Sequence, residues 1–163
     1  MSGTEPPSRR RLSLRSPPSR EQLTYAARYL ALATALNAVW ELAQLPLYAI
    51  WAESPPRDSL LAAVHCTAGD LLISAATLAL AIVVGGRNWP RENFSRVLAA
   101  AVGLGIAYTV FSEWLNVDLR GSWAYTPAMP RLPWIGTGLA PLAQWLVVPA
   151  AALWALHACR PAH

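Results

Sequence analysis

Four long apolar runs alternate with short polar segments along the chain. The runs cover residues 25–51, 60–84, 94–116 and 134–159. A helix rises 1.5 Å per residue, so each run is long enough to cross a hydrocarbon core about 30 Å thick. The pattern predicts an all-α fold, a polytopic membrane four-helix bundle.

The segments outside the runs divide into a tail and a cap. Residues 1–20 hold four prolines, five arginines and several serines, with no repeating apolar position, so we expect a disordered cytoplasmic tail. Segment 117–133 carries Pro127, Pro130 and Pro133 at intervals of three. That spacing favours stiff, polyproline-like backbone. We therefore predict an extracytoplasmic cap loop over 117–133.

Composition and charge support the membrane interpretation. The chain is 55% hydrophobic and 13% charged, where a soluble domain would have about 25% charged residues. All 13 basic residues are arginine, and most flank the apolar runs, so the net charge of +4 reflects topology and not nucleic-acid binding. Ten arginines fall on the side of the termini and three on the other. The positive-inside rule then predicts both termini in the cytoplasm, with the chain in a bacterial cytoplasmic (inner) membrane.

Each apolar run also contains polar side chains, which cost a few kcal/mol in lipid and so indicate function. With four alternating spans, these residues fall in the outer half of the membrane. His65 lies five residues before Asp70, which turns it toward a different face of the helix, so we expect it at the rim of an intramembrane site and not on its floor. The helical period predicts three polar stripes: Asn37, Glu41, Gln44 and Tyr48 on the first run; Thr67, Asp70, Ser74 and Thr77 on the second; and Tyr108, Ser112 and Asn116 on the third, with Glu113 at the edge.

These residues suggest an acidic, Trp-lined intramembrane site. Buried carboxyl groups can donate protons, and aromatic faces stabilise cationic intermediates. We therefore expect acid–base chemistry of the isomerase or cyclase kind on a lipidic or isoprenoid substrate, with Glu41, Asp70 and Glu113 as catalytic candidates. The candidates for substrate binding are Asn37, Trp40, Gln44, His65, Ser112, Asn116, Trp123, Tyr125 and Gln144.

Two other function classes stay open at this point. Glu41, His65, Asp70 and Glu113 offer mixed oxygen and nitrogen ligands for a metal, although no Glu-x-x-His pair occurs; the sequence leaves the cofactor unknown. The chain is also compatible with a small carrier or a non-catalytic subunit that binds membrane lipid or a partner protein. The Ala- and Gly-rich third run is compatible with a homodimer. Cys66 and Cys159 are expected near opposite faces, too far apart for a disulfide.

Four strings carry a resemblance: 37–48 (NAVWELAQLPLY), 65–70 (HCTAGD), 108–116 (YTVFSEWLN) and 123–125 (WAY). They resemble strings in small, uncharacterised four-helix bacterial integral membrane proteins, from about Tyr25 onward. This resemblance implies a fold and carries no activity to transfer. The four-span layout with outer-half acids is also similar in outline to the membrane-bound sterol isomerase superfamily, as a fold-level analogy.

Overall fold

The computed structural model of the protein describes residues 17–86 and 89–159. Most of the predicted disordered tail, residues 1–16, lies outside this range. The described elements are α1 (Arg20–Gln44), a 3-10 turn (Leu45–Leu47), α2 (Ile50–Glu53), α3 (Pro56–Gly85), α4 (Phe94–Glu113), a π-helical turn (Trp114–Leu119) and α5 (Leu139–Ala158). The described part of the chain contains no strand, only two isolated bridges, so the all-α prediction is confirmed.

Local sequence explains where these helices begin and end. At the start of α1, the Ser19 hydroxyl accepts from the Gln22 amide and the Gln22 side chain accepts from the Ser19 amide, a reciprocal capping box. Proline occupies the first position of α3, where no amide hydrogen is needed. Gly86 ends α3 at φ 98°, a conformation that glycine adopts without steric cost.

The helix bounds differ from the predicted runs by a few residues. α1 begins before residue 25 because the capping box lies in the polar flank, and it stops at Gln44 ahead of Pro46. The third span runs beyond residue 116 through the π-helical turn to Leu119. α5 begins at Leu139, five residues after the predicted start at 134.

Four of the helices are long and apolar enough to cross a membrane: Arg20–Leu47, Pro56–Gly85, Phe94–Leu119 and Leu139–Ala158. Large apolar side chains such as Leu72, Val84 and Leu146 remain exposed along them. These features indicate a multi-pass membrane protein.

The long helices contact one another in a cycle, because α1 and α4 each pack against both α3 and α5. Successive helices alternate in direction, so the end of α1 lies beside the start of α3. One end of the assembly is apolar, with a buried cluster that includes Tyr29, Leu78, Trp89, Val97 and Leu153. The buried polar residues fall toward the other end, which we call the polar end.

The loop between α4 and α5 folds over the polar end and docks on the segment after α1. The Ala49 amide donates to the Ala124 carbonyl at 2.9 Å, and the Thr126 amide donates to the Leu47 carbonyl at 3.0 Å. Tyr48 and Tyr125 form an antiparallel bridge between the two segments. Backbone pairing therefore holds this loop against the segment after α1.

Two glycines on α4 provide a matched test of helix packing. A Cβ on Gly105 would lie 2.4 Å from Trp145 Cε3, whereas a Cβ on Gly103 would meet nothing within 4 Å. We expect Gly105→Ala to lower the free energy of unfolding by about 1–3 kcal/mol through overpacking. Gly103→Ala should be neutral or slightly stabilising, because alanine has the higher helix propensity. Denaturation in detergent measures both, and equal effects would contradict this packing.

Candidate functional site

The centre of the candidate site lies on the buried face of α1, near its end. Asn37, Glu41 and Gln44 follow the helical period and are 2%, 7% and 5% exposed. Asp70 faces them from α3 and Gln144 from α5, and both are equally buried. Three helices thus place five polar side chains together in a segment whose surroundings are apolar. We call these five residues the carboxyl–amide cluster.

The amide nitrogen of Gln144 is the geometric centre of this cluster. It lies 3.0 Å from Glu41 Oε1, 3.0 Å from Asp70 Oδ2 and 3.1 Å from Asn37 Oδ1. Gln44 Nε2 adds a second contact to Glu41 Oε1 at 2.8 Å and a longer one to Gln144 Oε1 at 3.3 Å. The single Gln144 amide therefore joins α5 to α1 and α3.

Acceptors outnumber donors in the carboxyl–amide cluster. The Gln144 amide carries two hydrogens but faces three acceptor oxygens. The carboxyl groups of Glu41 and Asp70 each contact the same atom, Gln144 Nε2, at 3.0 Å, so the two groups are neighbours. Gln44 Oε1 is buried without any partner in the described part of the chain. The geometry thus brings two carboxyl groups from different helices to one shared donor.

Glu113 occupies a different environment, between α4 and the cap. The Tyr125 hydroxyl donates to Glu113 Oε2 and accepts from the Gly138 amide at 3.0 Å. The buried indole nitrogen of Trp123 interacts with the same carboxyl group without reaching full hydrogen-bond geometry. Glu113 therefore has donors directed at it, in contrast to the Glu41–Asp70 pair.

Two tyrosines of the cap region remain neutral donors. Burial raises the pKa of Tyr125, and its hydrogen bond to Glu113 raises that pKa further. Burial also raises the pKa of Tyr48, with a smaller contribution from the charge of Glu113. The two rings lie 5.4 Å apart between centroids. Both hydroxyl groups therefore keep their protons and can serve only as neutral hydrogen-bonding groups.

Glu113 lies at the same end of the helices as the carboxyl–amide cluster. It bonds to Tyr125, whose ring centroid lies 5.4 Å from that of Tyr48, and Tyr48 follows the end of α1 that carries Glu41 and Gln44. All three predicted carboxyl groups are therefore at the polar end.

The other predicted site residues lie at varied distances from this centre. Trp40 is half-buried and donates to the Ala140 carbonyl at 3.2 Å. Ser112 and Asn116 are half-buried and bond to each other along the helix. His65 is exposed on α3, and its rim position stays a prediction.

The predicted stripe on the third span is wrong in its orientation. Tyr108 is 44% exposed, while Thr109 and Glu113 lie on the buried face of α4. This face continues from Val97, Ala101 and Gly105 at intervals of four. The small residues permit close helix contact there. This packing, and not the predicted polar stripe, sets the rotation of α4 about its axis.

Sequence reasoning missed two contributors to the Glu113 environment. Tyr48 was predicted as the end of the α1 stripe, yet it lies after the 3-10 turn and faces the cap. Gly138 was not predicted at all. A Cβ there would lie 3.1 Å from the Tyr125 hydroxyl oxygen and 3.0 Å from Met129 Sδ, so glycine permits the approach of the Tyr125 hydroxyl. No local motif signals this contact.

The proposed metal ligands do not converge. Among residues 17–86 and 89–159, no group of three His, Cys, Asp or Glu side chains could hold a metal ion. His65, the nitrogen ligand of that alternative, is exposed on α3. The described part of the chain therefore offers oxygen acceptors and amides, and not a mixed metal site.

Comparison of the chain with protein-family models, curated proteins and solved structures gives no match.

Proposed function

We propose that this protein is an inner-membrane enzyme that moves protons on a lipidic or isoprenoid substrate. In this proposal the four long helices form a bundle with both termini in the cytoplasm. The carboxyl–amide cluster and Glu113 then line an acidic site in the outer half of the membrane, beneath the cap. Glu41 and Asp70 act together as the acid, and Glu113 acts as the base.

The observation that carries the proposal is the proximity of Glu41 and Asp70. Each of the two carboxyl groups lies 3.0 Å from the same amide nitrogen, Gln144 Nε2. Like carboxyl groups this close in a low-dielectric site cannot both ionise. A pair that retains a proton at neutral pH can serve as a general acid.

Glu113 suits the opposite role. The Tyr125 hydroxyl donates to it, and a hydrogen bond of this kind favours the charged form of a carboxyl group against the opposing effect of burial. Carboxyl groups whose environments differ in this way divide into acid and base. The division supports an isomerase in preference to a hydrolase, since one group donates a proton and another removes one.

The proton balance of such a reaction closes without a co-reactant. The π electrons of a substrate double bond form a C–H bond with the proton of the Glu41–Asp70 pair, which leaves a carbocation. Glu113 removes a proton from a neighbouring carbon, and the electrons of that C–H bond form the new double bond. Return of the proton from Glu113 to the pair completes the cycle. Trp123, whose indole nitrogen faces Glu113, would stabilise the cation, with Trp40 of α1 as a second candidate.

Deuterium labelling tests the proposal without a defined substrate. Cells that express the chain are grown in heavy water, and their lipids are compared by mass spectrometry with those of cells carrying an empty vector. We expect a lipid or isoprenoid with added carbon-bound deuterium only when the chain is present. A lipid that co-purifies with the chain but acquires no label would favour the non-catalytic lipid-binding alternative and contradict the proposal.

The proposed orientation makes its own prediction. Reporter fusions after Arg57 and after Tyr125 should show an extracytoplasmic signal, and fusions after Arg91 and Arg160 a cytoplasmic one. The reason is the excess of arginine on the side of the termini, ten against three. An extracytoplasmic signal at Arg91 would reverse the orientation and move the site to the inner half.

A further inference from the structure

The last part of the cap is an ordered turn, Arg131–Gly138. Arg131 and Gly138 form an antiparallel bridge. The Leu132 amide donates to the Thr137 carbonyl at 2.9 Å, and the Gly136 amide donates to the Leu132 carbonyl at 3.0 Å. At the base of the turn, the Leu139 amide donates to the Pro130 carbonyl at 2.7 Å. These bonds fix the turn in one conformation.

The tip of this turn is apolar and exposed. Trp134 is 101% exposed and Ile135 is 50% exposed. Trp134 also has φ 66°, a left-handed conformation that strains a bulky residue. Strain of this kind persists where the surrounding structure imposes it, often at binding sites. The turn therefore holds a large aromatic side chain away from the rest of the protein.

Arg131 at the base of the turn supplies a positive charge. Its guanidinium carbon lies 4.7 Å from the centroid of the Tyr125 ring, and the residue is exposed. Within the described part of the chain, no carboxylate forms an ion pair with it. From Leu132 to the end of α5 the chain has no charged residue. Arg131 is thus free to bind an external anion beside an apolar tip.

The position of the turn identifies the medium that it contacts. α5 begins at Leu139, directly after the turn, and its apolar side chains Leu139, Leu146 and Val147 are exposed to the surroundings. The turn therefore lies at the height where a membrane-spanning helix leaves the hydrocarbon. Tryptophan is enriched at that interface, and arginine matches the geometry of a phosphate.

We infer that the turn Arg131–Gly138 is a lipid-docking surface that binds an anionic phospholipid of the adjacent leaflet. Trp134 and Ile135 insert at the boundary between headgroups and acyl chains, and Arg131 binds the lipid phosphate. The inference goes beyond the proposed function and does not depend on it. It does place lipid next to the site, because the Tyr125 ring under Arg131 carries the hydroxyl that donates to Glu113.

Lipid retention tests the charged half of this surface. The full chain is placed in nanodiscs of phosphatidylcholine with and without phosphatidylglycerol, and retained lipids are counted by native mass spectrometry. Arg131→Gln should lower the preference for phosphatidylglycerol about fivefold, the effect of one arginine at a charged interface. Arg57→Gln is the matched control, an exposed arginine at the same end outside the turn, and should retain the preference.

Fluorescence quenching tests the apolar half. Brominated phosphatidylcholine should quench part of the tryptophan emission, and Trp134→Phe should remove that part. Trp154→Phe, an exposed tryptophan near the other end of α5, is the control for general lipid contact. Circular dichroism establishes that each variant is folded, and either variant alone suffices to test the surface.

Three results would overturn the inference. The first is an unchanged lipid preference in folded Arg131→Gln. The second is Trp134 emission that is quenched by aqueous acrylamide and not by brominated lipid. The third is displacement of retained phosphatidylglycerol by inorganic phosphate, which would identify a site for free phosphate and not for lipid. None of these readouts involves deuterium labelling, so this inference and the proposed function can fail separately.

Discussion

Glu41→Gln should reduce deuterium incorporation at least about 100-fold, the usual contribution of a positioned general acid. The amide has nearly the same shape as the carboxyl group, so the helices should still assemble, but it cannot give up a proton. In this variant Asp70 is the one carboxyl group left in the carboxyl–amide cluster. It contacts amides that can donate to it, and it no longer shares a proton with Glu41. Labelling of lipid by membranes that contain each variant measures the loss, and detergent chromatography establishes folding.

Glu113→Gln should have a similar effect, and the double variant should lose little more than either single one. Residues that act as a unit show such non-additive losses. Glu53→Gln is the matched control, because Glu53 is exposed on α2 near the same end and should retain activity. Additive losses, or full activity in Glu41→Gln, would mean that these carboxyl groups stabilise the fold without taking part in a reaction.

The second large effect is expected at Gln144. Gln144→Leu keeps the approximate volume but removes the amide that contacts Glu41, Asp70 and Asn37. Buried acceptors left without their donor should lower the free energy of unfolding by about 3 kcal/mol. Unfolding in mixed micelles with increasing denaturing detergent measures the change.

Asn116→Leu provides the comparison for Gln144. It also replaces an amide by leucine, but among the described residues the Asn116 side-chain amide bonds only to Ser112, one turn earlier in the same span. We expect a change below about 1 kcal/mol, the net value of an ordinary hydrogen bond. If the two substitutions lower the free energy of unfolding equally, the loss comes from removing an amide and not from the position of Gln144 between three helices.

Periodicity was enough to predict the α1 and α3 faces of the site. Asn37, Glu41 and Gln44 repeat at helical intervals in an apolar run, so a single rotation buries all three. Asp70, Ser74 and Thr77 do the same on α3, and all three are buried. Alternation of the spans then brings these faces to one end. This part of the site follows from helix geometry and from the cost of polar groups in lipid.

The Glu113 environment could not be predicted in the same way. On α4 polar residues surround Glu113 on several sides, so periodicity did not select Thr109 over Tyr108. The rotation is decided by small residues such as Gly105, which accepts the Trp145 ring. The partner of Glu113 is Tyr125, in a loop, and its placement depends on a backbone bridge to Tyr48 and a hydrogen bond from the Gly138 amide. Contacts between a loop and distant segments follow no helical repeat, so the spacing of residues along the sequence does not predict them.

Infrared spectroscopy of the carboxyl C=O stretch tests the shared proton, the central claim, most directly. At neutral pH the wild-type protein should show a protonated-carboxyl band that shifts in heavy water. Glu41→Gln and Asp70→Asn should each shift the band in frequency and lower its intensity, because the remaining carboxyl group loses the partner with which it shares the proton. Glu53→Gln should leave it unchanged. A wild-type protein without a protonated-carboxyl band at neutral pH, or a band that persists unchanged in both variants, would contradict the account.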